Sequence, residues 1–317
     1  MFDYKFETFL YDLLVNKILG QLRRNILARK YSNLKLQPEK ADLQIVEQPD
    51  IKTTKYCDIN LKKWRDYPHI LTGTLWQFPS RLKQHGHSNE YHGNYIPQIA
   101  QQMYERYTKK NDVILDLFFG SGTSGIEAVN MNRRCIGVEL KDELAESISE
   151  KFTPKQLVTD VNIICADSTS ELAVEKVKAR LEIMGEKNAQ FLMLHPPYDD
   201  IIKFSDKKED LSNCATTEEF YDLFERAAKN GYGLLEKGRF ACLIIGDSYK
   251  HSEVQPLGFE CMNRMRKLGF VLKSTIIKDI QGNERGKGKT ANLWRYRALA
   301  GGFSIFTHEY IFVFQKV

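Results

Sequence analysis

The stretch "DVILDLFFGSGT", Asp112 to Thr123, is an apolar run closed by a glycine turn. Val113, Ile114 and Leu115 follow one another without polar alternation, the pattern of a strand covered on both faces. A helix is expected next, from Thr123 to Met131. Outward from there the texture repeats. "RCIGVEL" reads as a strand, "KDELAESISEKF" as a helix and "VNIICAD" as a third strand. A helix around 170–186, the strand "FLMLHPPY", a helix at roughly 217–236, the strand "GRFACLIIGD" and the helix "QPLGFECMNRMRKLG" follow. "FVLKSTIIKD" and "HEYIFVFQKV" close the chain as strands with no clear helix between them. Strands alternating with helices predict a mostly parallel sheet with right-handed crossovers. The expected fold class is therefore α/β and Rossmann-like: a mostly parallel seven-stranded sheet with an antiparallel edge pair.

Upstream, "YIPQIAQQMYERYT" reads as a helix with Pro97 in its first turn, where a missing N–H costs little. Residues 1–60 read as an N-terminal extension. Phe6, Phe9, Leu10, Leu13, Leu14 and Ile18 recur near the helical period within 1–30, and a polar arm fills 31–60. Residues 61–317 then form the main domain.

Bulk properties narrow the classes. Across 317 residues, 46 Lys and Arg face 41 Asp and Glu, a net charge of +5. That balance is compatible with a nucleic-acid partner without requiring one. No apolar run approaches the ~20 residues that cross a bilayer, so no membrane association is expected. Cys57, Cys135, Cys165, Cys214, Cys242 and Cys261 are scattered without a C-x-x-C pair. Neither a disulfide framework nor a zinc site is indicated, and a reduced, cytoplasmic setting fits. His85, His87 and His92 lie close in sequence, but no cysteine or paired carboxylate joins them, so no metal is expected.

"GSGTSG" (Gly120 to Gly125) satisfies G-x-G-x-x-G after a strand and before a helix, with Glu139 at the end of the next strand. A nicotinamide dehydrogenase fits that pattern. Two acids argue for a different cofactor. Asp116, just ahead of the loop, would repel a pyrophosphate but attract the ammonium and sulfonium of S-adenosylmethionine. Asp167, ending the third strand, can accept a hydrogen bond from an adenine amino group. Each acid read alone is equally a helix cap or first-turn acid.

The fourth strand stops at His195-Pro196-Pro197-Tyr198. Two prolines fix φ and freeze the turn at a strand carboxyl end, where ligands of such sheets bind. The Pro196 carbonyl and an unprotonated ring nitrogen of His195 are two acceptors, which suit the two N–H bonds of an exocyclic amine. Tyr198 offers a flat face on which a base can stack.

"DLFFGSGT" together with "PPY" resembles the amino-group DNA methyltransferases over roughly residues 92–317. "HGNYIPQ" looks like that family's cofactor-covering segment and "HEYIFVF" (His308 to Phe314) like its late strand. The resemblance implies a class I methyltransferase fold and S-adenosyl-L-methionine as cofactor. It implies Tyr95, Asp116, Phe119, Gly120, Ser121, Gly122, Thr123, Glu139, Leu140, Asp167 and Ser168 around the cofactor. It implies His195, Pro196, Pro197 and Tyr198 around the target amine. The expected reaction is methylation of a flipped base in duplex DNA, with N6 of adenine favoured over N4 of cytosine as the commoner target. A homodimer or a restriction-system partner is compatible with the family. Here the glycine loop precedes PPY, the reverse of many members with this loop. His195 stands where the family usually has Asp, Asn or Ser, so the usual hint to the target base is lost.

Three segments are expected to face nucleic acid. "DDIIKFSDKKEDLSN" (199–213), with Lys203, follows the turn directly and would close over the flipped base. "QGNERGKGKTANLWRYRALAGG" (281–302) interleaves Arg285, Lys287, Lys289, Arg295 and Arg297 with Trp294 and Tyr296, and is read as a loop. Residues 60–92 are the third. An RNA or protein methyltransferase, and a methyltransferase-like subunit that only binds DNA, remain the alternatives.

Overall fold

The computed structural model describes residues 54–83, 86–87, 93–198, 202–250, 253–280 and 291–317. The chain divides into two compact units, Met1–Asp50 and Ile51–Val317, and every described residue lies in the second. The helix expected over 1–30, and Arg285, Lys287, Lys289, His85 and His92, lie outside the described residues.

Ten strands and eight α-helices are described. The strands are β1 (Leu75–Trp76), β2 (Val113–Asp116), β3 (Arg134–Glu139), β4 (Val161–Cys165), β5 (Ala189–Leu194), β6 (Leu235–Ile245), β7 (Ser248–Lys250), β8 (Glu253–Gln255), β9 (Phe270–Asp279) and β10 (His308–Lys316). The helices are α1 (Pro97–Tyr107), α2 (Thr123–Asn130), α3 (Asp142–Ser149), α4 (Pro154–Thr159), α5 (Glu171–Ile183), α6 (Thr217–Leu234), α7 (Leu257–Lys267) and α8 (Ala291–Gly301).

The main sheet has eight strands in the order β1-β9-β10-β6-β5-β2-β3-β4. The α/β class and the parallel core match the sequence reading; the strand count of seven does not. The extra strand is β1, two residues long and parallel to β9. Two residues carry no periodicity, so nothing in the sequence marks them. The antiparallel element is also placed differently from an edge pair. Only β10 runs against the rest, inserted between β6 and β9 and paired antiparallel to both. The hairpin β7–β8 stands apart as a separate two-stranded ribbon, also unanticipated.

Strand alternation sends side chains to two cores. Val113, Leu115, Ile136 and Leu192 pack with α5, α6 and α7 through residues such as Val177, Phe224 and Cys261. Ile114, Cys135, Phe191 and Met193 pack on the other face with α1, α2 and α3 through Ile99, Met103, Ile126 and Ile148. Period-two alternation therefore explains why an uninterrupted apolar run is needed: both faces of every central strand are covered. Local signals start the helices. Pro97 occupies the first turn of α1, Ser170 caps α5 by accepting from the Ala173 N–H, and Thr216 caps α6 by accepting from the Glu219 N–H. Among the described residues no helix is long and apolar enough to cross a membrane.

Candidate active site

The carboxyl ends of β2, β3, β4 and β5 open into one cavity of about 590 Å³. That volume lies within the usual range for small-molecule sites. At one end its walls include Phe119, Gly120, Thr123, Glu139, Leu140, Asp167 and Ser168; at the other they include His195, Pro196, Pro197 and Tyr198, with Tyr95 also on the wall.

The glycine loop is shaped by backbone demands. Gly120 and Gly122 adopt φ of 52° and 85°, the left-handed region that a side chain disfavours. A Cβ on Gly122 would also lie 2.9 Å from Ile148. Behind the loop, the Phe119 ring lies against bare backbone: a Cβ on Gly137 would come within 2.3 Å of that ring, and one on Gly125 within 2.8 Å. Gly137, in the middle of β3, is thus a site-shaping residue that the sequence reading passed over. Its only signal was a glycine inside an otherwise apolar strand, which marks a close approach.

The three strand-end acids have three different fates. Glu139 accepts the Gly120 N–H and the Lys141 N–H, both at 2.9 Å, and so ties the loop to β3. Burial pushes its carboxyl up to about 6, with those two bonds and Lys141 pulling the other way. Each carboxylate oxygen carries two lone pairs, so one remains on each for a ligand hydroxyl. Asp167 accepts the Thr169 N–H and hydroxyl at 2.8 Å, a turn-capping role, while still lining the cavity. Asp116 does not line it. Its carboxylate lies 1% exposed beneath the loop, accepting from the Phe118 N–H and the Ser124 hydroxyl. Burial raises its carboxyl to about 6, and the Ser124 hydroxyl and Phe118 N–H work against that rise. The expected direct contact between Asp116 and a cofactor ammonium is therefore not the arrangement seen. Asp116 has the parity of Ile114 on β2, and so points toward α1 and α2 rather than off the sheet end. Ser121 and Gly122 are likewise off the wall: the Ser121 hydroxyl donates to Asn94 and its carbonyl accepts from Lys151.

If Glu139 holds the cofactor that the resemblance implies, Glu139→Gln should lower affinity for S-adenosylmethionine ten- to a hundredfold in calorimetry. One carboxylate oxygen becomes an NH2 facing a backbone N–H, and a charged acceptor is lost, worth ~1.5–3 kcal/mol. For the wild type, affinity should also weaken as pH falls through about 6, where Glu139 takes a proton and loses acceptor capacity. An unchanged Kd for the variant would remove Glu139 from the cofactor set.

At the other end, His195, Tyr198 and a pair from the last strands meet. The His195 Nε2 lies 3.2 Å from the Tyr198 hydroxyl, which donates to Glu309 Oε2 at 3.0 Å. Lys278 holds Glu309 Oε1 at 3.1 Å. Burial lowers the His195 ring to about 4, against a raising effect of Glu309 and with smaller lowering by Lys278 and Arg81. Tyr95 meets His195 edge-on, with ring centres 5.2 Å apart. Tyr198 lies over Gly246, where a Cβ would be 3.1 Å from its ring. Lys278 and Glu309 line the cavity, and neither was singled out from the sequence. A lysine on a mostly apolar strand and the acid in "HEYIFVF" were the available signals.

The described part of the segment after the turn gives Ile202, Phe204 and Leu211 to the cavity wall. Lys207 donates to the Leu140 carbonyl at 2.6 Å and pairs with Asp142, and Lys141 donates to the Phe204 carbonyl at 3.0 Å. The segment is thereby strapped beside Glu139. Lys203 pairs with Asp206 in an exposed i,i+3 contact and does not line the cavity. The stretch read as a loop over 281–302 contains a helix, α8, whose Trp294, Arg295 and Arg297 are exposed. The Arg297 guanidinium lies 5.3 Å from the centre of the Trp294 ring. His87 is buried against Glu127 at 2.5 Å, and among the described residues no group of three or more metal-ligating side chains is assembled.

Residues 26–151 match the N6/N4 family model described as DNA methylase. The matched residues make up less than half of the chain. The match begins well upstream of the glycine loop, includes it, and ends before the His195–Tyr198 turn. Over 99 residues the chain is 30% identical to a protein named probable type III restriction-modification enzyme HindVI Mod subunit, from Haemophilus influenzae; that aligned part is 30% of this chain and 13% of the relative. Over 120 residues it is 26% identical to the type II methyltransferase M.BglI of Bacillus subtilis, 37% of this chain and 33% of the relative. The chain thus spans a third or less of the length of these relatives. Among solved structures, TrmN from Thermus thermophilus superposes with a TM-score of 0.45 at 15% identity, covering 71% of this chain and 50% of that one.

Proposed function

We propose that this protein is a DNA methylase of the family whose model it matches in part, and that it moves a methyl group from S-adenosylmethionine to an exocyclic amino group, N6 of adenine or N4 of cytosine, on a base turned out of duplex DNA. One observation carries this reading. A single cavity joins Glu139 and Asp167, acceptors for hydroxyl and amine groups, to the rigid His195-Pro196-Pro197-Tyr198 turn. When bound, the cofactor supplies an electrophilic methyl group.

The residues present fit that cofactor. Glu139 keeps acceptor capacity for a diol, Phe119, Val138 and Leu140 provide apolar wall, and Gly120 keeps side-chain bulk out of the loop. The difficulty of the reaction is the amine, whose lone pair is delocalised into the base. Acceptance of its two N–H bonds by His195 and the Pro196 carbonyl localises that lone pair. His195 suits this task because burial keeps the ring neutral at physiological pH. It accepts a hydrogen bond without first removing a proton, and Tyr198 offers a flat surface beside it.

Duplex DNA and RNA should be incubated in parallel with isotopically labelled cofactor, and their nucleosides examined by mass spectrometry. N6-methyladenine or N4-methylcytosine from DNA is the expected product. Label in RNA alone, or in neither, overturns the reading. The names of the relatives support a restriction–modification setting for the same activity.

The exposed helix α8 is read as part of the DNA-facing surface, because it carries Arg295 and Arg297 with no acidic residue among Ala291–Gly301. If both arginines contact phosphates, the double variant Arg295→Ala/Arg297→Ala should flatten the slope of log affinity against log salt by about 2. A salt titration followed by fluorescence anisotropy measures this. An unchanged slope would remove α8 from the interface.

A further inference from the structure

We infer that Lys278 and Glu309 are positioning residues which, through Tyr198, hold His195 in the Nε2–H tautomer and leave Nδ1 as the acceptor for the substrate amine. The inference rests on the proposed role of His195 and extends it to residues that do not touch the amine.

The argument is one of donor and acceptor capacity along a chain. An ammonium has donors only, so Lys278 Nζ donates to Glu309 Oε1 at 3.1 Å. The lysine and glutamate face each other directly across β9 and β10, so the sheet register fixes the contact. Both are nearly enclosed, with side chains 3% and 12% exposed. A carboxylate paired with an ammonium serves as an acceptor. The Tyr198 hydroxyl must therefore donate its single proton to Glu309 Oε2, which it meets at 3.0 Å. Its oxygen is left as an acceptor. His195 Nε2, 3.2 Å away, must then supply the proton of their shared bond. A neutral imidazole has one N–H, so Nδ1 keeps its lone pair. Among the described residues no partner occupies Nδ1.

The groups around the ring agree with this assignment. Tyr95 meets His195 through its edge, and the Tyr95 hydroxyl is engaged with Ser124 at 2.6 Å, so it does not compete for the imidazole. Tyr198, Glu309, Lys278 and Arg81 are the remaining titratable or charged neighbours. The neutral ring is also the form that burial favours. A buried ion pair adds little net stability compared with apolar packing. Keeping one beside the turn makes sense as a means of fixing a proton. The substitution of His for the family's usual oxygen side chain raises a problem that an oxygen does not have, since an imidazole in the wrong tautomer presents an N–H to the amine.

The test uses the whole protein, labelled with 15N-histidine, without substrate. The His195 resonances are identified by their loss in His195→Ala. Long-range 1H–15N correlation at neutral pH should show Nε2 protonated and Nδ1 unprotonated. Tyr198→Phe and Glu309→Gln should each yield a tautomer mixture and lower kcat about tenfold, with little change in KM for DNA. Lys278→Arg should retain the wild-type tautomer. A wild-type spectrum with Nδ1 protonated, or a tautomer unchanged in Tyr198→Phe, overturns the inference. The outcome for the underlying reading is separate. A locked tautomer with full activity in His195→Ala would show the relay to exist but not to serve the amine. An unlocked tautomer with an inactive His195→Ala would sink the relay and leave the role of His195 standing.

Discussion

His195→Ala is expected to reduce methyl transfer by about a hundredfold in kcat, ~2.7 kcal/mol of barrier, while the protein stays folded and still binds the cofactor. The loss follows from removing one of two acceptors that localise the amine lone pair; the Pro196 carbonyl alone leaves one N–H unpaired. His195→Asn should recover much of the rate, because an amide oxygen accepts in the same place and has no tautomer to fix. The pH profile separates this role from simple packing. Burial lowers the ring from its ordinary 6.5 to about 4. The acid limb of kcat at saturating cofactor should therefore fall near 4 in the wild type and not near 6.5, and should vanish in His195→Asn. The same shift acts on stability. Between pH 6.5 and 4 the unfolded chain takes up a proton at His195 that the folded chain does not, so this group destabilises the fold as pH drops. Asp116 and Glu139 act in the opposite direction, since their folded values of about 6 lie above the ordinary 3.8 and 4.5 and the folded chain holds the extra protons. A wild-type acid limb near 6.5, or full activity in His195→Ala, would remove His195 from the reacting centre.

Gly137→Ala should cost about 2–3 kcal/mol of folding free energy and most of the cofactor affinity. The added methyl would lie 2.3 Å from the Phe119 ring, well inside contact distance. The ring has little room to retreat. Its far edge already meets Gly125, and its backbone N–H is bonded to the Val138 carbonyl at 3.0 Å. Relief requires moving the loop, which breaks the Gly120–Glu139 bond that shapes the cavity wall. Combining Gly137→Ala with Phe119→Leu should return part of the stability by vacating the ring position. Denaturant unfolding and calorimetry of both variants measure the two effects. A change in stability below about 0.5 kcal/mol would show that the β3–loop contact yields more easily than its geometry implies.

From Asp112 to Leu194 every strand, and every helix except the six-residue α4, was legible because each carries a local signature. Uninterrupted apolar strands, a glycine pair requiring positive φ, and a proline pair ending β5 all act within a few residues. Glu139 could be expected at the cavity for the same reason, as the last residue of a strand next to the loop. Asp116 shows the limit of that reasoning. Its place at the end of β2 was legible, but Ser124 and Tyr95, which enclose it, come from α2 and the segment ahead of α1. Strand-end position suggested the ligand; side-chain parity and the neighbouring helices put the carboxylate under the loop instead. The region after β9 shows it again. Alternating basic and aromatic residues suggested a loop, whereas Ala291–Gly301 is helical, and its exposed face leaves no burial pattern by which a helix is recognised.

The sequence by itself determined the succession of β2 to β6, β9 and β10 with the helices α2, α3, α5, α6 and α7 between them, the glycine loop and the rigid His195–Tyr198 turn, because dihedral preference and hydrophobic period are local properties. Only the tertiary structure decided that β10 lies between β6 and β9. That insertion brings Glu309 to Lys278 on one side and to Tyr198, 111 residues away in sequence, on the other. Strand order and register are set by burying both faces of the whole sheet at once, and no short segment encodes that sum.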